Sequence, residues 1–88
     1  MQRIQLTEKQ IEDAVKRVTE KLKMRLEQKG YGTFASRHEI LGVITEEYRE
    51  FAEAVHSKNI ENMKEEIIDL AVGSIFGLAC LQEKTIDW

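Results

Sequence analysis

The chain has no proline, a single cysteine and only five glycines in 88 residues. Without proline and with little glycine, the strongest helix breakers are nearly missing, and Glu, Lys, Ala, Leu, Ile and Gln fill the space. That mix favours long helices over strands. A lone Cys80 excludes an internal disulfide and fits a reducing cytoplasm. A basic excess is also missing: 16 acidic residues face 13 basic ones, for a formal charge of -3. This argues against a nucleic-acid binder. The first ten residues, MQRIQLTEKQ, lack the apolar core of a signal peptide. The longest apolar stretch, Leu70 to Leu81, falls short of the roughly 20 residues that cross a bilayer. A cytoplasmic protein with no membrane partner is therefore expected. At this length the chain is read as one all-α domain over residues 1–88, and so small a domain gains stability by finding partners.

Caps and apolar spacing predict three main helices. Thr7 with Gln10 has the form of a capping box. The stripe behind it is Ile11, Val15, Val18, Leu22 and Leu26, at helical steps of three and four. Gly30 and Gly32 bracket Tyr31 and end this helix. Ser36 with Glu39 makes a second capping box, with Ala35 placed to staple onto Ile40. Helix two then runs to about Val55, with the stripe Leu41, Ile44, Tyr48, Phe51 and Val55. A tight turn follows at residues 56–59, and Ser57 or Asn59 caps helix three, which reaches about Gln82. From Ile67 to Leu81 this helix is apolar almost all round, interrupted only by Asp69 and Ser74. Such a helix must be buried on every side. Two other helices of one short chain cannot surround it, so a helical bundle completed by oligomerisation is expected. Gly73 and Gly77, one turn apart, either permit close helix approach or are simply tolerated. Trp88 is expected to pack onto the rest of the chain.

Two acidic motifs stand out, EEYRE (Glu46, Glu47, Glu50) and EEIID (Glu65, Glu66, Asp69). Glutamates at helical spacing ordinarily form a solvated face, but three features set these apart. At 100° per residue, Glu47 borders the packed stripe beside Ile44 and Phe51. Asp69 sits inside the run Ile67 to Val72, where an unpaired carboxylate is costly. It needs a cation, a hydrogen-bond partner or a raised pKa. Third, about a turn centred on Lys58, Glu50 and Glu66 lie eight residues away on either side, and Glu47 and Asp69 eleven. In an antiparallel hairpin spanning about residues 37–82, equal separations mean equal heights, roughly 12 Å and 16 Å from the turn. Four carboxylates then meet across one interface, and a bound cation relieves their repulsion. An oxygen-only donor set selects Mg²⁺, or Mn²⁺, over zinc. Mg²⁺ held by carboxylates, water and substrate phosphates points toward phosphate-ester chemistry. Asp69→Asn is expected to relieve the crowding and to spare or raise stability while abolishing Mg²⁺-dependent activity.

Glu-Glu-x-x-Glu, fifteen residues, then Glu-x-x-Asp resembles the signature of the MazG-like all-α nucleoside triphosphate pyrophosphohydrolases. The likeness extends through EEYREFAEAV and NIENMKEEIIDLAVG and covers about residues 36–81. It implies Mg²⁺-dependent hydrolysis of a nucleoside triphosphate to the monophosphate and pyrophosphate, in a homo-oligomer, dimer or tetramer. Carried over by position, Glu47, Glu50, Glu66 and Asp69 would ligate the metal. Glu46 matches the first acid of the motif, in a water-orienting role at most. The general base is expected among these five carboxylates, with Glu46, Glu47 and Glu50 of helix two as the catalytic group.

Many relatives continue past helix three with a basic segment that holds the nucleotide, whereas here only Lys84 follows. The expected phosphate contacts are therefore Arg37, Arg49, Lys64 and Lys84, or the basic side of helix one at Lys21 and Arg25. Two alternatives accompany this reading. One is a related helical binding or oligomerisation module without catalysis; the other is a different pyrophosphohydrolase of the superfamily, such as a phosphoribosyl-ATP type. Cys80 reads as a core residue, and His38 and His56 as ordinary helix-end residues. Tyr31 and Phe34 are expected to pack, with stacking on a base as the alternative.

Overall fold

Three local devices set the helix boundaries in the computed structural model, which describes residues 2–86. Helix α1 spans Glu8–Lys29, α2 Arg37–His56 and α3 Ile60–Gln82, and no strand occurs among the described residues. The fold class is all-α, as the composition predicts. The expected packing of Trp88 lies outside the described residues.

The capping box at α1 is complete: the Gln10 amide donates to Thr7 Oγ1 at 3.1 Å and the Thr7 amide to Gln10 Oε1 at 2.9 Å. At the other end Gly30 takes φ 83°, and its amide reaches back to the Leu26 carbonyl at 2.8 Å. Only a residue without a Cβ adopts that conformation freely, so Gly30 alone ends the helix. Helix α2 is capped differently from expectation. Ser36 Oγ accepts from the Glu39 amide at 3.3 Å, but the Glu39 carboxylate accepts from Ala35 rather than from Ser36, at 2.7 Å. Ala35 itself stays exposed, and Phe34 is the loop residue packed on the cluster around Ile40. Of the two candidate caps for α3, Asn59 serves, accepting from the Asn62 amide at 3.1 Å.

The α2–α3 hairpin turns through Ser57–Asn59, with Lys58 in the left-handed region at φ 59°. The two helices approach closely at the glycines. A Cβ on Gly77 would lie 3.0 Å from Ile40 Cγ2, and one on Gly73 would lie 3.3 Å from Val43 Cγ1. The close-approach role of this pair is therefore realised within one chain. Beyond α3 the backbone folds over a second left-handed residue, Lys84, and buries Ile86 against Ile40 and Cys80. Cys80 is a core residue, as expected.

Helix α1 leans on α3 and makes no packing contact with α2. It buries no residue fully, and the first part of its expected stripe, Ile11 and Val15, is exposed. The α2 stripe divides in the same way. Of its expected members Ile44 and Phe51 are half-buried, while Leu41, Tyr48 and Val55 face outward, and the fully buried residues are Ile40 and Ala54, outside that stripe. Helix α3 is not enclosed by its own chain, for Ile67, Ile75 and Leu78 are about half exposed. No helix among the described residues is long and apolar enough to cross a membrane.

Candidate metal centre

Because α1 touches α3 but not α2, a cleft of about 360 Å³ opens between α1 and α2, floored by α3. Its floor carries Asp69, Val72, Gly73 and Phe76; Glu46 and Glu47 come from α2, and Arg25 and Lys29 from α1. Phe34 closes one end, its ring edge-on to Phe76 with centroids 5.2 Å apart and an interplanar angle of 84°. Phe34 thus does the packing expected of it. Tyr31 is exposed.

Glu47, Glu66 and Asp69 converge. Each offers one carboxylate oxygen, and the three lie within 4.8 Å of one another. The hairpin produces this convergence: Glu66 and Asp69 are one turn apart on α3, and Glu47 projects from the inner face of α2. Glu47 Oε2 and Glu66 Oε2 are enclosed and have no hydrogen-bond partner. Burial holds the Glu47 carboxyl at about 7, with the charges of Glu50, Asp69 and Glu66 adding to the shift. Glu66 is also raised, by burial first and then by the neighbouring Glu50 carboxyl. Glu50 therefore borders both carboxylates without joining the tightest triad. Glu46 is exposed and lies at the cleft rim.

Asp69 has partners that sequence reasoning only partly foresaw. Its Oδ1 is 3.4 Å from Arg25 Nη2 and 3.8 Å from Lys21 Nζ. The neighbouring Glu65 pairs with Arg17 at 3.6 Å and Lys21 at 3.8 Å. The Asp69 carboxylate is thus paired from α1 while its charge still adds to the upward shifts of Glu47 and Glu66, so Asp69→Asn relieves crowding and also breaks two ion pairs. Arg17, Lys21, Arg25 and Lys29 recur every four residues, and this ladder is the signal by which Arg17 and Lys29 could have been found.

The four expected phosphate contacts do not line the cleft. Arg49 is two residues from Glu47 on the helix, hence on nearly the opposite side. It lies in a shallow polar groove with His38, Glu46 and Glu53. Lys64 has the same relation to Glu66 and pairs with Glu61 at 3.3 Å. Arg37 begins α2, about 15 Å along its axis from Glu47, and Lys84 lies past the end of α3.

The donor set suits a hard divalent cation. It is all oxygen, and two oxygens are desolvated without partners. Ligands of an octahedral ion bound at about 2.1 Å stand roughly 3–4 Å apart, so a contraction of about 1 Å closes the triad around it. A model of the MazG nucleotide pyrophosphohydrolase domain matches residues 35–87. The chain belongs to the MazG family. No curated protein and no solved structure matches it. The MazG match takes in α2, α3 and the turn after them, and with these all six carboxylates of the two motifs. Helix α1 and its basic ladder lie outside it.

Proposed function

We propose that this protein is a Mg²⁺-dependent nucleoside triphosphate pyrophosphohydrolase, releasing pyrophosphate and a nucleoside monophosphate. Membership of the MazG family supports the reaction class. The observation that carries the site is the convergence of Glu47, Glu66 and Asp69 from two helices, with two enclosed, unpartnered oxygens among them. In this reading Glu47, Glu50, Glu66 and Asp69 hold the metal, with Mn²⁺ able to replace Mg²⁺. When bound, the ion offsets triphosphate charge and lowers the pKa of bound water. Water adds to the α-phosphorus, the bond from that phosphorus to the bridging oxygen breaks, and pyrophosphate leaves. Glu46, at the rim and outside the triad, orients the water, and the water's proton passes to one of the carboxylates of the cluster. Occupation of the site displaces the proton that Glu47 retains near neutrality. The cleft volume falls within the range of about 300–1,000 Å³ usual for small-molecule sites.

The outward apolar faces, Leu41, Tyr48 and Val55 on α2 with Ile67, Ile75 and Leu78 on α3, support a homo-oligomer in which these helices meet those of a second copy. Light scattering at micromolar concentration tests this. A cytoplasmic enzyme without nucleic-acid partners suits the free thiol and the acidic charge balance.

One observation favours a second reading, a non-catalytic helical module: Arg25 and Lys21 satisfy Asp69 without a metal. The assay that decides is pyrophosphate release from a panel of canonical and modified triphosphates and phosphoribosyl-ATP, with Mg²⁺ and with Mn²⁺. Release that disappears on chelation is expected. A folded protein that releases none from any substrate leaves the module reading in its place.

A further inference from the structure

The basic ladder of α1 runs alongside the acidic cluster and continues past it. Arg17 and Lys21 meet Glu65, Lys21 and Arg25 meet Asp69, and Arg25 and Lys29 line the cleft. Lys29 pairs with no carboxylate among the described residues. Both cations on Asp69 share its Oδ1, at 3.4 and 3.8 Å. These separations exceed the roughly 2.7–2.9 Å of a tight charge-assisted hydrogen bond. Arg25 keeps about a third of its side chain exposed and Lys21 about a quarter, so neither is locked in place.

Loose cations on a carboxylate that also belongs to the tightest oxygen triad create a competition. A divalent ion bound to Asp69 repels the two side-chain cations at close range. We infer that Lys21 and Arg25 are exchangeable counter-cations of Asp69: a divalent metal takes their place on the carboxylate, and the released guanidinium and ammonium, with Lys29, bind the phosphates of the nucleotide. This rests on the metal-site reading given above. It assigns phosphate recognition to α1, outside the residues that match the family model. The guanidinium of Arg25 presents a planar fork that fits two phosphate oxygens, and Lys29 extends the positive row along the cleft by one turn. Exchange also keeps the site near charge balance at each stage, with side-chain cations before the metal arrives and phosphates to meet them afterwards.

The test uses the full chain without nucleotide. Free Mn²⁺ is followed by electron paramagnetic resonance as wild type, K21Q, R25Q and R25K are titrated, with circular dichroism confirming helical content. R25Q and K21Q are expected to bind Mn²⁺ about fivefold more tightly than wild type, the gain from freeing a partly exposed ion pair. R25K is expected to stay close to wild type. In the presence of saturating Mg²⁺, R25Q is expected to bind inorganic tripolyphosphate about fivefold more weakly, with R25K intermediate. Folded R25Q and K21Q that bind Mn²⁺ no more tightly than wild type would make these ion pairs structural fixtures and overturn the exchange alone. Tighter Mn²⁺ binding with unchanged tripolyphosphate affinity would overturn the transfer to phosphate. Wild type that binds no Mn²⁺ would remove the metal-site reading and the exchange with it.

Discussion

Helix α1 is about as long as either helix of the α2–α3 hairpin, 22 residues against 20 and 23, but it is held in place by different forces. In the hairpin, glycines let the backbones close, Ile40 packs on Gly77 of α3, Ala54 is buried, and carboxylates are carried inward with the apolar face. Helix α1 buries nothing fully and is attached through half-buried leucines and a row of ion pairs. Packing therefore dominates one region and electrostatics contributes visibly to the other. The carboxyl of Glu47 belongs to the packed region, where one of its oxygens is enclosed without a partner. That of Asp69 lies at the seam between the two, where α1 supplies partners.

The sharpest way to break this contrast is to remove apolar volume from each region. Ile40→Ala is expected to destabilise by about 3 kcal/mol, whereas Ile11→Ala, on the exposed part of α1, is expected to cost under about 0.5 kcal/mol. Chemical denaturation of both variants checks this, and equal losses would mean that α1 is buried by a partner copy. Next in size is Gly77→Ala. Its Cβ meets Ile40 Cγ2 at 3.0 Å, so a cost of about 1–2 kcal/mol is expected despite the better helix propensity of alanine. Gly42→Ala, which meets nothing within 4 Å, is expected to stabilise by a few tenths to about 1 kcal/mol.

The electrostatic difference gives a pH test. The Glu47 carboxyl is at about 7 in the folded chain against 4.5 ordinarily. The folded state therefore keeps a proton that the unfolded chain loses. Stability present below about pH 4.5 is lost as pH rises through about 7, and the loss is complete above that. Thermal melts of the metal-free protein between pH 4.5 and 8 are expected to show this fall, Glu47→Gln to flatten it, and added Mg²⁺ to restore the melting temperature at pH 8. The smallest expected difference concerns caps. Asn59→Ala, at the hairpin turn, is expected to cost about 1 kcal/mol, and Thr7→Ala distinctly less, because the end it caps already stands in solvent and can fray locally.

Much of this architecture was legible from residue order. The Thr7–Gln10 box, the Gly30 stop and the Ser36 start are local devices, decided by neighbours within four residues, and each appears where expected. The acidic convergence was legible for a related reason: a short turn makes an antiparallel hairpin, and counting outward from Lys58 puts Glu47 near Glu66 and Asp69, which do converge, with Glu50 outside the tightest triad. Less legible was which part of a wide apolar stripe is covered. Leu41, Tyr48 and Val55 have the same hydropathy as the residues that are buried, and only the direction from which α3 approaches distinguishes them.

By itself, then, the order of residues determined three capped helices, an antiparallel hairpin and a meeting of carboxylates within it, because helical period and turn length are short-range properties of the chain. Tertiary structure alone decided that α1 leans on α3 and leaves a cleft beside α2, and that Asp69 is answered by Arg25 and Lys21 while Glu47 is not. The physical reason is distance along the chain. Arg25 and Asp69 are 44 residues apart, and no local rule sets the angle at which two such helices pack.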